Sequence, residues 1–148
     1  MTSAYASSVK EAPLDRPEFQ RWRNEADRAL QSARANAAAD LHNWACFAAE
    51  QAAQLGLKAL LHGLGRGPWG HDLVELGRAC AAAGADPPDD LSSRLLRLSR
   101  HYIPSRYPDA HAAGAAGDRY GPADSSEAME DAETTLRFVD ERWERFGG

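Results

Sequence analysis

The chain has 148 residues, of which 43% are hydrophobic and 26% are charged, a balance typical of one globular domain with a single core. Its formal net charge of -5 excludes a protein that coats nucleic acid through an overall positive field, so any contact with RNA must come from a local basic patch. The two cysteines, Cys46 and Cys80, are neither a CxxC pair nor at metal-ligand spacing, and we expect both to be reduced and buried in a cytoplasmic protein.

The N-terminal segment differs in composition from the rest of the chain. Residues 1–13 are small and polar, with no apolar stretch after a basic start, so no secretory signal is predicted. We expect residues 1–16 to form a flexible tail and residues 17–148 to form the folded domain. No apolar run reaches the length of a membrane-spanning helix, and no membrane association is expected.

Apolar residues at helical spacing predict two long helices after this tail. The first begins at Pro17, a residue favoured in the first helical turn, and the second follows Asp40, which is predicted to cap it. Gly63 and the glycines after it end the second helix. The predicted buried positions are Phe19, Trp22, Ala26, Ala29 and Ala33 in the first helix and Leu41, Trp44, Ala48, Ala52, Leu55 and Ala59 in the second.

Three further helices are predicted, and no segment alternates with the period of a strand. The third runs from about Asp72 to Ala83, the fourth starts at Asp89, and the last starts near Asp124, at capping-box spacing from Glu127. The fold class is therefore all-α, an antiparallel bundle of four to five helices, and its alanine-rich core favours further burial in a dimer. The predicted inner faces are Leu91, Leu95, Leu98 and Tyr102 in the fourth helix and Ala128, Ala132, Leu136, Val139, Trp143 and Phe146 in the last.

One long connection, from about Ile103 to Pro122, stands out among short links, and a loop of this length in a compact domain is usually functional or disordered. Proline, aromatic and charged residues crowd its first half. A basic run begins in the fourth helix and continues into this loop. It is either a solvated face or, in an acidic chain, a local contact for phosphate or RNA. The run has no acidic residue and contains Arg94, Arg97, Arg100, His101 and Arg106.

Several segments resemble the HEPN domain family. The stretch from Trp44 to Ala53 (WACFAAEQAA), followed by KALL at residues 58–61, is similar to the second HEPN helix, and HDL at residues 71–73 is similar to the start of the third. The stretch from Tyr102 to Ala110 (YIPSRYPDA) resembles the loop of one prokaryotic HEPN subgroup. The resemblance extends from about residue 19 to residue 146.

The resemblance implies a four- or five-helix bundle that forms a homodimer. Many HEPN proteins are ribonucleases that need no metal, often toxins paired with a minimal nucleotidyltransferase (MNT) antitoxin, and others are non-catalytic relatives that bind a nucleotide or RNA. The ribonucleases carry an arginine, four to six residues and then a histidine. This spacing occurs here from Arg106 to His111 and from Arg94 to His101, whereas Ala113 stands where a tyrosine that antitoxins can modify with AMP would follow.

Arg106 and His111 are the predicted catalytic residues. Cleavage of RNA without metal requires one group that takes the proton of the 2′-hydroxyl, another that protonates the leaving oxygen, and positive charge at the phosphate. Histidine suits the proton transfers and arginine suits the phosphate, and two copies in a dimer would provide both proton-transfer groups. The alternatives are that His111 is an exposed loop residue and that Arg106 closes the loop through a salt bridge with Asp109.

Five further residues are predicted to contact RNA or a nucleotide, and neither a metal site nor a cofactor is predicted. These residues are Arg97, Arg100, His101, Tyr107 and Asp109. Tyr107 either stacks on a base or closes the loop. Glu50 and Gln51, polar residues in an apolar helix, are expected to hydrogen-bond across the bundle or at a dimer seam.

Three hypotheses for the function remain open. The leading one is a cytoplasmic homodimer that binds RNA or a nucleotide and that, in its catalytic version, cleaves RNA as the toxin of a pair with an MNT antitoxin. The second is a non-catalytic module that binds a nucleotide or regulates the MNT partner. The third is a helical dimerisation scaffold, which predicts neither ligand binding nor sensitivity to replacement of Arg106.

Overall fold

Five α-helices and two short 3-10 helices make up the fold in a computed structural model, which describes residues 13–148 and contains no β-strand in that range. This confirms the predicted all-helical fold. The predicted tail lies outside the described residues as far as residue 12. The α-helices are α1 (Arg16–Ala38), α2 (His42–Gly63), α3 (Leu73–Ala82), α4 (Asp89–Ser99) and α5 (Pro122–Arg145), and the 3-10 helices Pro108–Ala110 and Ala116–Arg119 lie between α4 and α5.

Helix α2 is the centre of the bundle and contacts each of the other four α-helices. It is buried around most of its circumference because small residues let its neighbours approach closely. At Gly56, for example, the side chain of Leu136 from α5 occupies the space that a Cβ atom would need. Both cysteines lie in the core, as predicted, and burial raises the pKa of each thiol to about 12.

The boundary between α1 and α2 differs from the prediction. Asp40 does not cap α2, whose N-cap residue is Leu41, without a side-chain hydrogen bond. Asp40 instead takes a left-handed conformation, with φ of 60°, at the end of α1. The N–H of Leu41 then bonds to the Asn36 carbonyl and that of Asp40 to the Ala37 carbonyl, which is a Schellman motif. Aspartate tolerates this conformation better than most residues, so it can replace the usual glycine.

The N-terminal ends of two other predicted helices can be compared with the structure. Asp72, the predicted start of the third helix, is the N-cap of α3 and accepts hydrogen bonds from the N–H groups of its first turn. Helix α5 starts earlier than predicted, at Pro122, so the capping box from Asp124 to Glu127 is wrong. Asp124 lies in the first turn, where its carboxylate accepts the N–H of Gly121 at 2.8 Å.

The predicted core is confirmed at most positions, and the exceptions lie near the ends of helices. Trp44 is 44% exposed, Leu41 is 48% exposed and Phe146 is 37% exposed. Tyr102 lies beyond the end of α4, in the turn that follows it, and so does not extend its inner face. No helix in residues 13–148 is long and apolar enough to cross a membrane.

Candidate functional site

The turn that follows α4 is fixed to α2 by buried polar contacts. The side-chain amide of Asn43 donates to the Ser105 carbonyl at 3.0 Å, and the Ser105 hydroxyl donates back to the His101 carbonyl. Ser105 is fully buried, so water does not compete for these bonds. The side chains next to Ser105 in the sequence are thereby held in defined positions.

Arg106 projects from this turn into a cluster of aromatic rings. Its guanidinium lies 4.3 Å from the ring centre of Phe47, 4.7 Å from that of Tyr102 and 5.0 Å from that of Tyr107. Its Nε donates to the Tyr102 carbonyl at 2.9 Å. Within residues 13–148, no carboxylate forms a salt bridge or hydrogen bond with it. We call Arg106 and these three rings the arginine cage. The rings hold the guanidinium in place and leave its two terminal amino groups available to bind a ligand.

The side of α2 beneath the arginine cage is polar. Glu50 is fully buried and accepts hydrogen bonds from Gln51 at 2.7 Å and from Gln54 at 3.3 Å. These bonds lie within α2 and not across the bundle, which was one of the two expectations for Glu50 and Gln51. Lys58 donates to Gln54 at 3.2 Å, and Gln54 also donates to the His71 carbonyl at 3.4 Å. The ring of His71 stacks on Tyr102 at 4.1 Å, which connects this polar row to the cage.

Burial changes the ionisation of Glu50. Loss of hydration raises the pKa of its carboxyl to about 7, although the amide hydrogen bonds and the positive charges of Arg106 and Lys58 act in the opposite direction. Near neutral pH the buried carboxyl therefore exists in both its neutral and its ionised form.

His111 is oriented by the same turn that carries Arg106. It is half-buried, and its Nε2 lies 2.6 Å from the Pro104 carbonyl oxygen. Because a carbonyl only accepts, Nε2 carries the hydrogen, and Nδ1 of the neutral ring is left with a lone pair. Asp109 is exposed in the first 3-10 helix, and no salt bridge between it and Arg106 forms in the described part of the chain.

The basic run divides into two groups that face different helices. Arg94 and Arg97 both bind Asp131 of α5, at 2.9 Å and 2.6 Å, and this carboxylate is 1% exposed. Arg97 is therefore already paired with an acid, although sequence reasoning placed it in the RNA-binding set. Arg106 faces α2 instead. Arg100 is exposed at the end of α4 and borders a groove of about 360 Å³ that is also lined by His71, Asp72, Ser99, Tyr102, Ile103 and Pro104.

His101 belongs to the α5 side of the turn. Its Nδ1 lies 3.4 Å from the Tyr120 hydroxyl, and the rings are tilted against each other. Burial lowers the pKa of His101, so its ring is neutral at neutral pH. In the described structure His101 packs between the loop and α5, whereas the arginine cage lies on the α2 side of the turn.

Sequence reasoning missed two members of this site, Phe47 and His71. Phe47 lies three residues after Trp44 and three before Glu50, so an aromatic and polar row along α2 was the signal for a face that differs from the apolar core. His71 stood out in the sequence only as part of the HDL segment before the third helix, and its contact with Tyr102 has no local signal. Within residues 13–148, no group of three or more His, Cys, Asp or Glu side chains is placed to hold a metal ion.

Comparison with known proteins gives consistent matches. The profile of the HEPN domain family matches residues 19–143. TT1696 from Thermus thermophilus is 38% identical, with a TM-score of 0.80 over 83% of this chain and 96% of that one. ST0689, an archaeal HEPN homologue, is 30% identical, with a TM-score of 0.71 over 84% and 96%. An HEPN domain protein from Thermotoga maritima, 24% identical with a TM-score of 0.68 over 84% and 98%, shares the fold. No curated protein matches the chain.

Proposed function

The chain belongs to the HEPN domain family, and from this premise we propose that it binds RNA or a nucleotide through the arginine cage. One observation carries the proposal. The guanidinium of Arg106 is held by three rings and one backbone carbonyl, while no carboxylate in residues 13–148 pairs with it. An arginine that is held in position without an acidic partner is suited to bind an anion.

The residues around Arg106 can contact both the phosphate and the base of a nucleotide. A guanidinium grips two phosphate oxygens with parallel hydrogen bonds, and such charge-assisted bonds are stronger than neutral ones. Tyr107 is 47% exposed and Trp44 is also exposed, so each offers a ring on which an unpaired base can stack. Arg100, at the edge of the neighbouring groove, adds a second positive charge. The chemistry fits a nucleotide or single-stranded RNA.

A binding assay tests the proposal. We expect Arg106→Met to weaken the binding of a fluorescent ribo-oligonucleotide, measured by anisotropy, by about tenfold or more, because a hydrogen bond to a charged group contributes about 1.5–3 kcal/mol. Arg78→Met is the matched control, since Arg78 is an exposed arginine on α3 that pairs with Glu75. Equal affinities of the two variants would refute the assignment of the site.

The second candidate function is metal-independent cleavage of RNA, as the toxin of a pair with an MNT antitoxin. The orientation of His111 favours it, because the neutral ring presents Nδ1 as a base. That base would remove the 2′-hydroxyl proton, the 2′-oxygen would bond to phosphorus, and the bond from phosphorus to the 5′-oxygen would break. A homodimer would contribute the second histidine, which protonates the leaving 5′-oxygen.

Cleavage and binding can be separated with the same variants. We expect wild type to cleave RNA in the presence of a chelator and both Arg106→Ala and His111→Ala to lose this activity. Binding by wild type without any turnover would instead favour the non-catalytic module. Equal turnover in all three proteins would trace the activity to another site or a contaminant and would remove the catalytic assignment.

A further inference from the structure

We propose that Glu50 controls how tightly the arginine cage binds phosphate. When ionised, its carboxylate partly neutralises Arg106 and repels an incoming anion; when protonated, it leaves the charge of Arg106 to the ligand. The inference rests on the proposed function and adds its regulation by pH. Glu50 acts through Arg106 and does not touch the ligand.

The geometry places Glu50, fully buried, on the face of α2 that carries the cage residue Phe47. Phe47, Glu50 and Gln54 lie on one face of α2, because positions three and four residues apart are neighbours on a helix. Phe47, three residues before Glu50, contacts the guanidinium of Arg106. Gln54, four residues after Glu50, bonds to the backbone of His71, whose ring stacks on Tyr102 of the cage.

Two cations, Lys58 and Arg106, act on the carboxyl of Glu50. In the described range, the groups that act on its carboxyl are the amides of Gln51 and Gln54 and the cations Lys58 and Arg106. Lys58 comes from the same helix and bonds to Gln54, not to Glu50. No ionisable group of α1, α3, α4 or α5 in that range is among them. Among the groups that act on Glu50, Arg106 is the cation that comes from another element.

Burial affects both the ionisation of Glu50 and the strength of its interaction with Arg106. The side chain is fully buried, so water screens its interaction with Arg106 less than it would for an exposed carboxylate. Its pKa of about 7 means that a modest change of pH changes its charge. By linkage, an anion bound at Arg106 raises the pKa of Glu50, and protonation of Glu50 tightens anion binding by the same factor.

The test measures the affinity of the protein for a probe at several pH values. The charge of the probe itself must not change over this range. A short single-stranded ribo-oligonucleotide without terminal phosphates meets this need, because its phosphodiesters stay ionised. If binding raises the pKa of Glu50 by one unit from its value of about 7, wild type should bind about fivefold more weakly near pH 8 than near pH 6. Glu50→Gln should lose this Glu50-dependent change and bind at pH 8 about as tightly as wild type does at pH 6.

Two controls isolate the contribution of Glu50. The exposed Glu144→Gln on α5 makes the same change in net charge and should behave as wild type. His71, His101 and His111 remain in every variant, so the difference between wild type and Glu50→Gln removes their titration. The carboxyl carbon of Glu50, followed by NMR, gives a readout without ligand: Arg106→Met should raise the pKa of Glu50.

The outcomes distinguish this inference from the function on which it rests. Absence of oligonucleotide binding at every pH would refute both. Binding with the same pH dependence in wild type and Glu50→Gln would refute only the control by Glu50. An unchanged Glu50 pKa in Arg106→Met would also refute it, because the two charges would then not interact.

Discussion

Replacing Glu50 with glutamine should change how the stability of the protein depends on pH. The folded protein holds the proton of Glu50 up to about pH 7, whereas the unfolded chain releases it near the ordinary value of 4.5. A group whose pKa is raised on folding contributes stability that is complete below the unfolded pKa and is lost as pH rises through the folded pKa. The wild type should therefore lose stability between these two values, and Glu50→Gln should not.

The size of the effect follows from the two pKa values. The difference between 7 and 4.5 is 2.5 units, and each unit corresponds to about 1.4 kcal/mol, so the full loss from below the lower pKa to above the higher one is about 3–4 kcal/mol. This is a large part of the stability of a typical domain. Glutamine keeps the shape of the neutral acid and cannot ionise, so it retains the low-pH stability at high pH.

Urea unfolding, followed by tryptophan fluorescence from about pH 5 to pH 8.5, measures this difference. His101 has the opposite effect on how stability depends on pH, because burial lowers its pKa. Its contribution to stability is complete above the unfolded pKa and is lost as pH falls through the folded pKa. Because His101 is present in both proteins, subtraction of the two curves removes it. Parallel curves for wild type and Glu50→Gln across this range would refute the account of the buried carboxyl.

Two further predictions concern the core and the contact between α4 and α5. Asp131→Asn should destabilise the protein by about 3 kcal/mol in urea unfolding, because it leaves two arginines close together without their buried partner; an unchanged midpoint would show that the network contributes nothing. Cys46 and Cys80 should not react with a thiol reagent at neutral pH until the protein unfolds, because burial raises the pKa of both thiols to about 12. Rapid labelling of either in the native protein would contradict their burial.

The helices could be predicted from the sequence because their signals are local. Apolar spacing defines the buried faces of α1, α4 and α5, and the cap residue Asp72 fixes the start of α3. Asp40 shows the limit of such reasoning. The same residue type serves as an N-cap and as a left-handed C-terminal residue, and the chain before it decides which one forms.

The candidate site was only partly predictable, because it depends on contacts between distant parts of the chain. The unusual loop identified Arg106, but nothing local shows that its guanidinium lies over Phe47, a residue of α2. Likewise, the basic run looked like one surface until the fold placed Asp131 against Arg94 and Arg97. A buried acid on a later helix removes cations from a predicted patch, and spacing within the run does not reveal it.

NMR titration with a short ribo-oligonucleotide is the most direct test of the claim that the arginine cage binds RNA or a nucleotide. The Nε–H of Arg106, bonded to the Tyr102 carbonyl, provides a side-chain signal at the centre of the cage. We expect this signal and those of the Tyr107 ring to shift on addition of the oligonucleotide, while the Nε–H of Arg97, bonded to Asp131, stays unchanged. Shifts at Arg97 with none at Arg106 would contradict the account and would move the binding surface to the α4–α5 side.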